Sequence, residues 1–163
     1  MPATQAVYDP IQLRADLQLD EGLATKAYHD STGIITIGIG RNLENPGLSA
    51  DEVELLYRND INRATFGLDH ALPWWRGLDP EAQLVMINLT FNMGISKFTG
   101  FSQFLSFMQA KRYADAANDL KKTAWYGQVG QRGPRMVARL LKAEADQNVT
   151  VLAASETSAK GQT

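Results

Sequence analysis

Between Asp20 and Arg41 the chain reads DEGLATKAYHDSTGIITIGIGR, and within that stretch the hydrophobic period changes from helical to extended. Ile11, Leu13, Leu17 and Leu23 alternate with Arg14, Asp16, Gln18 and Asp20 in a way that suits an amphipathic helix better than a strand. The spacing predicts a helix from about Pro10 to Glu21, stopped by Gly22 as a left-handed cap. Lys26 to His29 can then run as a short strand, Asp30-Ser31-Thr32-Gly33 supplies turn residues, and Ile34 to Ile39 returns as a β-branched strand. A helix feeding directly into a hairpin places two acids a helix end and one strand apart, which is the spacing of an acid pair across a cleft. Glu21 falls in the last helical turn, where the dipole and the apolar flank both disfavour an ionised carboxylate, as a general acid requires. Asp30 falls at the strand–turn junction.

The rest of the chain reads mostly as helix. Residues 1–9 form an arm, and Asn45-Pro46-Gly47 marks a loop over Asn42 to Leu48. Ser49 and Glu52 form a capping box, and Val53, Leu56, Tyr57, Ile61 and Ala64 follow at helical spacing, so a long helix is expected to about Thr65, linking two lobes. Leu72-Pro73-Trp74-Trp75 reads as a turn. Asp79 and Pro80 open a helix that is apolar almost all round and ends at Met93-Gly94, which suits the centre of a larger lobe. Phe101 to Met108, Tyr113 to Lys121 and Pro134 to Asp146 read as three further helices. After Gln147 a frayed or extended tail is expected.

With 163 residues the chain is long enough for one substantial core. It has no cysteine, so disulfides and thiol chemistry are excluded. No apolar run approaches the ~18 residues of a membrane span, and MPATQAVYDP has neither the basic start nor the apolar core of a signal peptide. Cytoplasmic synthesis and no membrane insertion are therefore expected. His29 and His70 offer too few ligands for a zinc site, and the G-x-G of Thr36 to Gly40 lacks the third glycine and opening helix of a dinucleotide fold. Neither metal nor cofactor is expected.

The net charge of −2 conceals an asymmetry. Residues 1–100 carry seven Lys and Arg against thirteen Asp and Glu, and residues 101–163 carry nine against five. Lys121 to Lys142 holds six basic residues and no acid. A nucleic-acid surface would fit that run, but the acidic total and the lack of a recognised reader motif argue against such a partner.

The run E-G, then Y-x-D with the Asp nine residues after the Glu, then T-I-G-I-G resembles the catalytic stretch of the phage-type lysozymes, a glycoside hydrolase family, and the likeness extends roughly from Leu13 to Glu144. The resemblance implies a mainly helical α+β fold with two lobes. The small sheet lobe would cover about 22–48, the linking helix 50–65, and the helical lobe 66–146 together with helix 10–21. These make one lysozyme-like domain over 1–146, with a C-terminal tail over 147–163. The short segment between T-I-G-I-G and the long helix resembles the lambdoid-type members.

Taken singly, Glu21 would be a surface acid, Asp30 a turn former and Thr36 a strand residue. The resemblance instead implies that these three form a catalytic triad for hydrolysis of the β-1,4 bond between N-acetylmuramic acid and N-acetylglucosamine in peptidoglycan, with inversion. It further implies sugar contacts at Asn42, Phe91, Asn92, Phe104 and Asp119, with core packing as the equal alternative for Phe91 and Phe104. Arg132, in a W-Y-x-Q-x-x-x-R pattern from Trp125, would meet Glu21. The implied partner is the peptidoglycan glycan strand, acted on by a monomer for host lysis, after release from the host cytoplasm to the periplasm through a separate pore. A virion-associated lysozyme and a catalytically dead wall-binding module remain alternatives. The family's T-even branch has a His after T-I-G-I-G that pairs with an acid on the linking helix. Arg41 stands at that position here and Asp60 at the acid's, so a salt bridge insensitive to neutral pH is expected between them.

Overall fold

The computed structural model describes residues 8–160. The chain divides into two compact units, residues 1–56 and 57–163, and the division falls inside one helix.

The first unit begins with α1 (Pro10–Glu21), capped by Asp9, whose carboxylate accepts from the backbone N–H groups of Ile11 and Gln12 at 2.8 and 3.2 Å. It ends where the sequence places its end, at Gly22, which has φ +77° and donates its N–H to Gln18 O at 3.0 Å. Three antiparallel strands follow in the order β1 (Ala24–His29), β2 (Ile35–Gly38), β3 (Arg41–Asn42). Thr36 sits in the middle strand, opposite Tyr28 on one side and Asn42 on the other. It is buried, unlike the surface-facing residues around it.

Helix α2 (Ala50–Ala71) opens on the expected capping box. Ser49 N donates to Glu52 Oε2 at 2.7 Å and Glu52 N to Ser49 Oγ at 3.3 Å. The helix runs six residues past Thr65, because Leu68 continues the apolar stripe into the core.

The second unit is helical. A single-turn 3-10 helix (Pro73–Gly77) replaces the expected turn and buries Trp75, whose indole N–H donates to Asp69 at 2.8 Å. Helix α3 (Pro80–Met93) has the predicted N-cap, with Asp79 Oδ1 accepting from Glu81 N at 2.8 Å. It buries Ala82, Val85, Met86, Leu89 and Thr90, while Leu84 and Phe91 stay about half exposed, so it is less enclosed than its composition suggests. Around it stand α4 (Ile95–Phe98), α5 (Ser102–Gln109), α6 (Tyr113–Leu120), α7 (Ala124–Gln128) and α8 (Arg132–Lys160). Trp75, Phe98, Phe104, Tyr113, Leu120 and Leu140 are among the fully buried side chains of this core.

Polar ties also connect its helices. Tyr113 Oη accepts from Asp79 N at 3.0 Å, and Glu144 Oε2 accepts from Ala114 N at 3.0 Å. Glu81 on α3 pairs with Arg139 and, at 2.6 Å, with Lys142 on α8. Helix α8 continues through the segment after Gln147 that reads in sequence as frayed or extended. Thr150 Oγ1 donates to Asp146 O at 3.0 Å along the way.

Candidate active site

Glu21, Asp30, Thr36 and Asn42 all belong to the first unit. Asp30 begins a tight turn in which its N–H donates to Ile34 O and its own carbonyl accepts from Gly33 N, both at 3.0 Å. One carboxylate oxygen, Oδ1, accepts from Thr32 N and Thr32 Oγ1 at 2.8 Å and from Ile34 N at 2.9 Å. The Thr32 hydroxyl and then the Ile34 N–H hold the Asp30 pKa below the usual aspartate value, because each donor favours the charged acceptor. The DSTG turn thus presents an ionised carboxylate.

The Thr36 hydroxyl donates to Ile34 O at 3.3 Å, which orients its lone pairs. Asn42 Oδ1 accepts from Glu44 N and Asn45 N, both at 2.8 Å. That oxygen shapes the following loop, and only the amide nitrogen of Asn42 is left for a ligand.

Glu21 is exposed at the end of α1. It lies against the turn between β2 and β3, where the α-carbon of Gly40 faces its carboxyl group. The motif reading missed this contact, since the spacing of T-I-G-I-G does not reveal which glycine abuts the preceding helix.

Arg41 also departs from expectation. It donates to Glu52 Oε2 at 2.7 Å and to Gly47 O at 3.0 Å, while Asp60 pairs with Arg63 one helical turn along. The expected partner, Asp60, belongs to the other unit, whereas Glu52, pinned by the capping box at the N-terminus of α2, is close to Arg41 in sequence. The Arg41 guanidinium, followed by Ser49 N–H, lowers the Glu52 pKa to about 2.

The remaining candidates lie in the second unit. Phe91 and Arg132 line one cleft of about 360 Å³ with Asn88, Met136 and neighbours from α2, α3 and α8. Asn92 is exposed on α3, and its Oδ1 accepts the indole N–H of Trp125 at 2.7 Å. Asp119 is half-buried in α6. Phe104 is a correction to the substrate set. Its exposure is 0% and its ring packs 6.0 Å from Phe98, so of the two roles left open by its sequence it takes core packing. Glu21 and Arg132, expected to meet, belong to different units.

The comparisons with known proteins agree on one family. The phage lysozyme family model matches residues 18–143. Two curated relatives from Dictyostelium discoideum are similar over most of both chains. Probable T4-type lysozyme 1 is 26% identical over 75% of this chain and 89% of its own, and Probable T4-type lysozyme 2 is 25% identical over 77% and 91%. The Pre-baseplate central spike protein Gp5 of Enterobacteria phage T4 is 26% identical over 77% of this chain, a match that spans 27% of that longer protein.

Proposed function

Because the chain belongs to the phage lysozyme family, we propose that it is a muramidase that hydrolyses the β-1,4 bond between N-acetylmuramic acid and N-acetylglucosamine in peptidoglycan, with Glu21, Asp30 and Thr36 as its catalytic groups. The observation that carries this reading is the state of Asp30. Three donors converge on one of its oxygens and favour the charged form, so it is ionised and unsuited to donate a proton. Being a weak base, it orients the attacking water and takes a proton only as the bond to C1 forms and makes that water strongly acidic. The other carboxyl of the motif, Glu21, is then the acid. It delivers its proton to the glycosidic oxygen as the bond from that oxygen to C1 breaks. A water on the opposite face of the ring attacks C1, losing one proton to Asp30 while the Thr36 oxygen accepts a hydrogen bond from its other hydrogen. The anomeric configuration inverts, and one water is consumed per bond.

On this reading Phe91, Asn92, Asp119 and Arg132 remain the sugar-facing candidates of the second unit, and the amide of Asn42 that of the first. Phage-mediated host lysis is the biological role. The enzyme would be made in the host cytoplasm and reach the wall through a separate pore; no described helix is long and apolar enough to cross a membrane. The likeness to the central spike protein favours a virion-associated wall hydrolase as the second reading of that role.

The test is turbidity loss of outer-membrane-stripped cells with wild type, Glu21→Gln and Asp30→Asn, all checked for folding by circular dichroism. Glu21→Gln removes one proton at nearly constant shape and should abolish lysis. More than about a tenth of wild-type activity in that variant sinks the assignment. An inactive wild type that still binds purified walls would identify a binding module instead. Inversion requires carboxyl groups about 6.5 to 9.5 Å apart with no covalent intermediate, and the first-formed anomer, read by proton NMR, decides it.

A further inference from the structure

Gly38 and Gly40 flank Ile39 in the turn from β2 to β3, and both have φ +70°, where a side chain is disfavoured. Backbone conformation alone therefore accounts for two glycines and does not distinguish them. Their surroundings do. A Cβ at Gly38 would meet nothing within 4 Å, whereas a Cβ at Gly40 would stand 3.1 Å from Glu21 Oε2 and 3.3 Å from both Cδ and Cγ. Carbon atoms pack best at about 3.5 to 4.0 Å, so even the smallest side chain at residue 40 would require the end of the Glu21 side chain to give way by a few tenths of an ångström. Gly22 fixes the place where α1 ends, which leaves the Glu21 side chain lying across the sheet turn.

We propose that Gly40 is a positioning residue for Glu21: its missing side chain is the seat in which the carboxyl lies over the β2–β3 turn, and it fixes where the acid delivers its proton. This rests on the reading of Glu21 as the general acid. A general acid must come within about 2.6 to 3.2 Å of the atom it protonates, so a carboxyl pushed away by several tenths of an ångström loses rate in the chemical step more than it loses binding.

The experiment uses the full chain with Gly38→Ala, Gly40→Ala, Glu21→Ala and the double variant Glu21→Ala/Gly40→Ala. Gly38→Ala is the matched control for left-handed strain. Thermal melts of all four should show a larger loss in Tm at Gly40→Ala than at Gly38→Ala. In the Glu21→Ala background the added loss at residue 40 should shrink to the size seen at residue 38. In lysis kinetics, kcat of Gly40→Ala should fall about tenfold further than that of Gly38→Ala, with KM changed less than about twofold.

Equal Tm losses at residue 40 with and without the Glu21 carboxyl would overturn the proposal. So would a raised KM at unchanged kcat, which would mean that Gly40 makes room for the sugar. If Gly40→Ala alone fails to fold, folding of the double variant supports the seat, and failure of the double variant beside a folded Gly38→Ala refutes it. The melts do not depend on catalysis. Coupling that persists in an inactive wild type would overturn the muramidase reading, and with it the catalytic role of the seat, but not the contact.

Discussion

Phe104→Ala separates two roles that the sequence alone leaves equal. The ring is 0% exposed, lies 6.0 Å from Phe98 at a 56° tilt, and belongs to the same core as Trp75, Leu89 and Met108. Truncating a fully buried phenylalanine loses its transfer energy and leaves a cavity, together costing about 3 to 5 kcal/mol. For a protein of this size, 1 kcal/mol corresponds to roughly 2 to 4 °C, so Tm should fall by about 6 to 20 °C. Phe104→Leu keeps most of the volume and should cost under about 1.5 kcal/mol. Scanning calorimetry gives the shifts, and lysis rates measured well below both transitions give kcat and KM. Core packing requires a large Tm loss with KM close to wild type. A Tm within about 2 °C of wild type together with a severalfold rise in KM would refute it and return Phe104 to the sugar-binding set.

Asn92→Ala leaves the mostly buried Trp125 indole N–H without its acceptor and should cost about 1 to 3 kcal/mol in denaturant titrations, whereas Asn92→Asp, which keeps an oxygen there, should cost less. Gly133→Ala would bring a Cβ to 2.7 Å from the Tyr126 ring, and overpacking of that kind should lower stability by about 1 to 3 kcal/mol; an unchanged Tm would show that the ring moves freely. Glu52 is held at about 2 in place of the ordinary value near 4.5, so its pairing with Arg41 contributes stability above the ordinary value and loses it as pH falls from about 4.5 to 2. Glu52→Gln should therefore have a lower Tm than wild type at pH 7, and the two should converge near pH 2; a gap independent of pH would mean that charge is not the cause.

Local chemistry was the legible part of this chain. The Asp79 and Ser49–Glu52 caps, the Gly22 stop and the Asp30–Gly33 turn are each set by a few adjacent residues, and each is found where the sequence puts it, whereas the Asp9 cap of α1 falls in what reads as an arm. Features that depend on residues remote in sequence were read less well. The six added residues of α2 rest on Leu68 reaching the core, and the helix after Gln147 continues one already anchored by Glu81. Phe104 has the composition of either a sugar platform or a core ring, and only burial decides between them. Arg41 was matched to Asp60 by analogy with a histidine at that position. The longer, forked side chain instead bridges Glu52 and Gly47 O.

The two acids of the candidate site differ in the same respect. Asp30 draws its environment from residues two and four positions ahead, so the segment D-S-T-G-I carries its own means of favouring a carboxylate wherever the turn forms. An ionised carboxylate can thus be specified by a short motif. The Glu21 carboxyl instead lies against Gly40, reached only after the hairpin has folded back on the end of α1. The proton acceptor would then be set by local sequence and the position of the proton donor by the assembled sheet. It follows that changes in the β2–β3 turn should move the Glu21 carboxyl and spare the donors on Asp30, whereas changes within Ser31 to Gly33 should alter those donors and spare the Glu21 contact.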